Sequence, residues 1–202
     1  HQMACYNLGL AYTYGDGVSK DPAMALDWFL KAARGTERSS RPAPGVFYQD
    51  REYVRWPLRQ GAGFFQLGLP SAQHRLGLIY EEGLGGQPDS KAASKWYRQA
   101  ADQGYAPAQS RLANLYRSGR GVPLDLAMAL DLYRRAATQG DSMAQNHLGA
   151  MYGLGLGVPK DPVQSCRWFT LSAAAGSASG LKNRDALIKR MTPEQRDECQ
   201  RL

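Results

Sequence analysis

The residues that could do chemistry are few and scattered. Ser179 and Lys182 form S-x-x-K, the spacing of a serine nucleophile and its lysine base in β-lactamase-type acyl transfer, but the further motifs of that chemistry are missing. The glycine-rich stretches GLGLGV at 153–158 and GLGG at 83–86 could cradle a phosphate only behind a strand, and both belong to a glycine pair that recurs along the chain as a helix stop. His1, His74 and His147 share no H-x-x-x-H or H-E-x-x-H spacing that would gather a metal. No serine or cysteine is marked out by a histidine and a carboxylate as a triad. The adjacent Glu81 and Glu82 read as the solvated end of a helix rather than as an acid–base couple. Neither catalysis nor a cofactor is expected.

Cys5, Cys166 and Cys199 are an odd set without a C-x-x-C pair. They read as small buried hydrophobes, with a Cys166 to Cys199 bridge as the alternative. At 202 residues with 43% apolar composition the chain can bury a substantial core, yet no window reaches the length of uncharged apolar sequence that a spanning helix needs. The opening HQMACYNLG has neither the basic nor the apolar region of a signal peptide. It starts inside a recurring motif, so further residues, a cleaved signal among them, are expected upstream. The net charge of +7 comes from segments 36–70, 105–140 and 177–202, the others balancing to zero. A basic excess of this kind favours an acidic partner.

What positions these residues is a repeat. Ala4, Leu8, Gly9, Tyr12, Gly15, Gly17, Val18, Asp21, Ala25, Trp28, Phe29, Ala32 and Ala33 set a frame. It returns with Ala72, Leu76, Gly77, Tyr80, Gly83, Gly85, Asp89, Ala93, Trp96, Tyr97, Ala100 and Ala101, then 36 residues later from Ala108 and another 36 later from Ala144. In each copy Ala, Leu, Gly and Tyr form one helical stripe, the glycine pair stops that helix, and Asp caps a second. The second helix buries Ala, Trp with Phe or Tyr, and Ala-Ala. Pro22 and Pro162 take the first helical position that proline favours. Neither helix can bury its stripe alone, so the units must stack. After Gly176 the frame decays into a degenerate first helix, and Thr192, Pro193 and Gln195 open one more helix with a capping box.

This frame resembles the Sel-one-like repeat family, relatives of the tetratricopeptide repeats, over residues 3–35 and 71–176. Ala113 replaces the usual glycine, Leu132 the Trp, Ser165 and Ser172 the alanines, and Thr36 the closing glycine of the first copy. The resemblance implies an all-α fold: a right-handed α/α solenoid of four helix-pair repeats with an insertion after repeat one and a C-terminal capping helix. The predicted layout is a single domain over 1–202, with repeats at 1–35, 71–104, 105–140 and 141–176, the insertion at 36–70 and the cap at 177–202.

The resemblance also implies protein binding on the concave face lined by the first helices. Placed on the tetratricopeptide-like pattern, the inward residues are Met3, Tyr6, Leu10, Thr13 and Tyr14, then Ser71, His74, Leu78, Glu81 and Glu82. Ser110, Asn114, Arg117 and Ser118 follow, and Met143, Asn146, Ala150 and Leu154 complete the row. The function it implies is that of a bacterial inhibitor or immunity protein that neutralises a secreted effector, such as a phospholipase delivered by type VI secretion. A signalling or envelope-assembly adaptor is the alternative, and a β-lactamase-like hydrolase a further one. The expected partner is an acidic protein, not a nucleic acid, since Asp50 and Glu52 interrupt the basic run and no nucleic-acid module is present. Membrane insertion is not expected. The free chain is expected to be a monomer, and its compartment the periplasm, with the cytoplasm as the alternative.

One segment breaks the metre. Ala4 and Ala72 are 68 residues apart rather than 36, and the excess contains VFYQDREYVRWPLRQGAGFF at 46–65. Its aromatics are too apolar for a solvated linker and are expected to be buried. Either they cover the edge where the repeat is broken, or Tyr48, Arg51, Tyr53, Arg55, Trp56 and Arg59 form a partner-binding knob, Tyr, Trp and Arg being the residues that dominate interface hot spots.

Overall fold

The computed structural model describes residues 2–34, 68–84 and 86–201. Among them are ten helices and no strand: α1 (Gln2–Tyr14), α2 (Pro22–Ala33), α3 (Pro70–Glu82), α4 (Ser90–Asp102), α5 (Ala106–Ser118), α6 (Leu126–Thr138), α7 (Ser142–Leu154), α8 (Pro162–Ala174), α9 (Ala178–Ile188) and α10 (Pro193–Gln200). Each first helix, α1, α3, α5 and α7, packs on the helix that follows it, and each second helix packs on the first helix of the next unit. This serial contact is the expected α/α solenoid. Helix α9 continues the stack on α8, and α10 turns back onto α8. The insertion residues Tyr48, Arg51, Tyr53, Arg55, Trp56 and Arg59 lie outside the described residues.

The punctuation of each unit follows from its residue types. Asp21, Asp89, Asp125 and Asp161 cap the second helices, each carboxylate accepting from backbone N–H groups of the first turn at 2.8–3.0 Å. The same aspartates donate their own N–H to the carbonyls of Tyr12, Tyr80, Tyr116 and Tyr152 at 2.7–3.0 Å, which ties the second helix to the end of the first. Gly119 closes α5 at φ 68°, and Gly121 follows at φ 70°. A Cβ on Gly121 would stand 2.3 Å from the backbone of Ser90, where the loop crosses the start of α4, so only glycine meets both demands. Thr192 and Gln195 form the predicted capping box of α10.

The step from one unit to the next is a repeated backbone hydrogen bond. Tyr105 donates to Ala100 at 3.1 Å, Asp141 to Ala136 at 3.1 Å and Ser177 to Ser172 at 3.0 Å. Leu69 makes the equivalent bond to Ala32 at 3.2 Å, although the whole insertion intervenes. Gly68 sits so close to Ala33 that a Cβ there would overlap its carbonyl. The two ends of the insertion therefore meet.

Three expectations are corrected by the packing. The aromatic pair of the second helix is not buried as a pair: Phe29, Tyr97, Tyr133 and Phe169 are buried, while Trp28, Trp96 and Trp168 are only partly covered at the cluster edges. The buried ring packs against the first helix of its own unit, where a Cβ on Gly9, Gly77 or Gly149 would come within 2.3–2.7 Å of it. Ala4 and Leu8 are exposed although Ala72 and Leu76, their counterparts, are fully buried, because no described helix precedes α1. Finally, Cys166 and Cys199 are not separate buried thiols but a disulfide, with Cα atoms 6.0 Å apart. The fold-back of α10 onto α8 brings them within bridging reach, beside Met191, Leu187 and Ile188. Cys5 is buried against α2 and α3 in the first cluster.

The two serines that replace alanine each gain a bond and a cleared space. Ser165 Oγ donates to Gly149 O at 2.7 Å, and a Cβ on Gly153 would crowd it at 2.8 Å. Ser172 Oγ donates to Ser142 O at 2.7 Å, and Gly180 stands where the preceding unit has Ala144, leaving room for that hydroxyl.

A glutamine ladder that the repeat frame did not include also joins the units. Gln73, Gln109 and Gln145 are buried, and each donates its Nε2 back to the unit before it, to Ala33, Ala101 and Ala137. Gln103 Nε2 donates to Gln73 Oε1 at 2.7 Å and Gln139 Nε2 to Gln109 Oε1 at 2.9 Å. In the fourth unit the donor position holds Ala175, and Gln145 Oε1 is buried with no partner among the described residues.

Candidate binding face

Residues spaced four and then three apart on a first helix share one side of it. On α5 this stripe is Ser110, Asn114 and Arg117. Ser110 is fully buried and does not reach the surface. Asn114 and Arg117 are half-buried, and they are held from the second helix of the same unit: the Tyr133 hydroxyl donates to Asn114 Oδ1 at 2.6 Å, and Arg117 Nη2 donates to the same oxygen at 3.4 Å. Burial pushes the Tyr133 hydroxyl up to about 12 against a hydrogen bond from Arg117, so it remains a proton donor.

The second unit is built in the same way but carries an acid. Glu81 is largely buried and accepts the Tyr97 hydroxyl at 2.7 Å on one oxygen and Arg120 Nη2 at 2.7 Å on the other. Arg111 stands 3.9 Å from its Oε2. Burial and then the bond to Glu81 raise the Tyr97 hydroxyl above the ordinary tyrosine range. Glu81 is thus engaged within the fold, while Glu82 beside it is exposed.

His74 lies between the rings of Tyr97 and Tyr105 at centroid distances of 5.8 and 5.5 Å. Burial first, then Arg111 and Arg75, lower its pKa to about 4. His147 lies 5.3 Å from the Tyr133 ring, and burial, then Arg117, lower it as well, against Asp141. Both imidazoles are neutral near pH 7. In the first unit Tyr6 packs on Phe29 with Leu10 beside it, and Tyr6 and Tyr14 hydrogen-bond Arg75, which raises that guanidinium although burial opposes it. Tyr14 is 58% exposed and Leu154, at the far end of the row, 70%. Asn146 accepts from Asn183 of α9 at 2.9 Å.

The structure places the predicted Tyr6, Leu10, Tyr14, His74, Glu81, Glu82, Asn114, Arg117 and Asn146 on the first helices, where Asn114 and Arg117 touch each other and Tyr6, Tyr14, His74, Glu81 and Asn146 are held by Phe29, Arg75, Tyr97 and Asn183. It adds Arg75, Arg111 and Arg120, which the sequence reading did not select. A signal for two of them existed: Arg75 and Arg111 occupy the same repeat position 36 residues apart, with His147 next in the series. Elsewhere, Ser179 and Lys182 are both exposed on α9. Among the described residues no group of three His, Cys, Asp or Glu side chains could hold a metal, and no helix is long and apolar enough to cross a membrane.

Comparison with known proteins agrees with this architecture. The family description of the Sel1 repeat matches residues 2–36, 70–105, 106–141 and 142–177. A protective antigen of uropathogenic Escherichia coli displaying an SLR fold superimposes with a TM-score of 0.75 at 32% identity, covering 98% of this chain and 36% of the antigen. A Sel1 repeat protein from Oxalobacter formigenes gives a TM-score of 0.69 at 31% identity, covering 89% of this chain and 60% of that one. The chain thus spans less than two thirds of either relative.

Proposed function

The chain belongs to the Sel1 repeat family, and from that premise we propose that it is a non-catalytic scaffold that holds another protein against its first helices. The observation that carries this reading is a division of labour within the repeat. Positions that stack the units recur, as in Ala72, Ala108 and Ala144, whereas the positions facing outward along the same helices change from Tyr14 to Glu82 to Ser118 to Leu154. Stacking alone does not call for that variety; a surface fitted to one partner does.

Within this class we favour an inhibitor or immunity protein that neutralises a secreted effector, such as a type VI secretion phospholipase, over a signalling or envelope-assembly adaptor. A short array with a basic third unit suits capture of an acidic protein by a monomer. The Cys166–Cys199 bridge supports an oxidising compartment such as the periplasm. The test is affinity capture from the native organism, followed by assay of the captured protein. An effector enzyme whose turnover is abolished by one equivalent of the chain supports the inhibitor reading. A kinase or envelope-assembly component supports the adaptor. If the chain itself hydrolyses an ester or β-lactam well above a buffer blank, the scaffold reading fails.

A further inference from the structure

We propose that the face of the third unit is a carboxylate receptor: Arg117, with Asn114 and Arg111 beside it, receives an aspartate or glutamate side chain of an acidic segment in the partner polypeptide. The proposal rests on the scaffold reading above and names the chemistry of its contact point.

Arg117 is a half-buried cation for which the described residues provide no carboxylate within ion-pairing distance. Its Nε is buried without a hydrogen-bond partner among the described residues, and the rest of its fork meets neutral groups, the Asn114 amide oxygen at 3.4 Å and the Tyr133 hydroxyl. A guanidinium withdrawn from water normally has its donor fork filled, because unpaired buried charge is costly. The acids of this face are already committed: Glu81 accepts from Tyr97 and Arg120 and lies at the edge of ion-pairing distance from Arg111, and Asp141, which acts on His147 together with Arg117, caps α7 by accepting from Ala144 N at 2.7 Å. Asn114 and Arg111 add donors. Asn114 Oδ1 is taken by Tyr133 and Arg117, which leaves its Nδ2 as a donor. Arg111 has just that one long ion pair among the described residues. His147, lowered first by its own burial, feels Arg117 and Arg111 and, against them, the Asp141 carboxylate.

A surface of donors short of acceptors is complementary to a planar carboxylate, which Arg binds through two parallel bonds. Half-burial strengthens that attraction over the same contact made in open water. The remaining basic residues of the unit differ: Arg134 donates to Tyr152, and Arg135 is 3.8 Å from Asp131. Arg134 is exposed, so among the described residues of the unit Arg117 is the half-buried guanidinium with no carboxylate in ion-pairing distance.

The experiment uses the full chain and three fluorescein-labelled probes: C-terminally amidated hexaglutamate, amidated hexaglutamine, and hexaglutamine with a free terminal carboxyl. Anisotropy should show hexaglutamate bound at least tenfold more tightly than either hexaglutamine. Arg117→Gln should weaken it tenfold or more and Arg111→Gln severalfold, while Arg135→Gln, which removes the same net charge, should stay within twofold. Arg117→Lys should fall well below wild type, because a point charge cannot reproduce the fork. Thermal unfolding checks that each variant is folded; should Arg117→Gln fail to fold, Arg111→Gln against Arg135→Gln decides. No measurable hexaglutamate binding, equal losses in Arg117→Gln and Arg135→Gln, or equal binding of the free-acid hexaglutamine would overturn the proposal. A native partner held at full affinity by Arg117→Gln would overturn it as well while leaving the scaffold reading intact.

Discussion

Replacing Ala175 by glutamine should make the protein more stable, and replacing Gln139 by alanine should make it less so by a comparable or larger amount. The two substitutions are opposite edits of one ladder. Gln103, Gln139 and Ala175 occupy the same helix-ending position with nearly the same backbone, at φ −81°, −87° and −78°. A glutamine at 175 therefore inherits the geometry with which Gln139 reaches Gln109, and its Nε2 would meet the orphan Gln145 Oε1. A hydrogen bond contributes about 1 kcal/mol net, and relieving a buried unpaired acceptor adds to that. Fixing the new side chain costs up to ~1.5 kcal/mol if fully ordered, less at a surface position. The expected balance is a gain of roughly 0.5–1 kcal/mol for Ala175→Gln. Gln139→Ala leaves Gln109 Oε1 buried and unpaired and should cost roughly 1–2 kcal/mol. Urea titration followed by circular dichroism measures both, and hydrogen exchange across α7 to α9 shows whether the gain is local to the fourth unit, as the nearest-neighbour energetics of a solenoid require. A neutral Ala175→Gln together with a Gln139→Ala cost below about 0.3 kcal/mol would show that the ladder contributes nothing, contrary to the accounting of buried acceptors.

Other predictions follow from the core, the histidines and the cap. Tyr97→Ala should cost on the order of 3–5 kcal/mol in chemical denaturation, as large buried aromatics do, and clearly more than Trp96→Ala, whose ring is only partly covered. His74 is held neutral in the fold, with its pKa lowered to about 4 by burial and then by Arg111 and Arg75, so as pH falls below 6.5 the unfolded chain takes up the proton first. Stability should therefore rise with pH between 4 and 6.5 and be lost as pH falls through that window, at up to about 1.4 kcal/mol per pH unit, and His74→Asn should flatten the slope of denaturation midpoint against pH. Reducing the Cys166–Cys199 bridge, which spans 33 residues, should remove roughly 3–4 kcal/mol from the cap by the loop-entropy account, read as faster amide exchange in α9 and α10 with α3 to α6 unchanged.

How much of this was legible in the sequence depended on the distance over which each feature acts. The caps at Asp21, Asp89, Asp125 and Asp161 and the glycine stops are local, and the structure realises them residue by residue. The choice between Trp96 and Tyr97 as the buried ring was not legible, because adjacent helical residues differ by only about a third of a turn and the decision lies with the glycine opposite. The disulfide depends on where α10 turns after leaving the repeat frame, which no periodicity records. On the candidate face, Arg117 and Asn114 followed from the helical stripe. The engagement of Glu81 by Arg120 crosses between units over 39 residues and emerged only once the stack was formed.

The return of the chain at Leu69 to the bond that Tyr105, Asp141 and Ser177 make has a bearing on how such an array can change. Because departure at Ala33 and re-entry at Gly68 are adjacent, the intervening segment produces no net displacement of the stack. The junction behaves as a docking port in the chain's own backbone. A short turn copied from Gln139-Gly140, or an unrelated domain with neighbouring termini, could be spliced there while α2 and α3 keep their register, so a new surface can be acquired at this point without redesigning the solenoid that carries it.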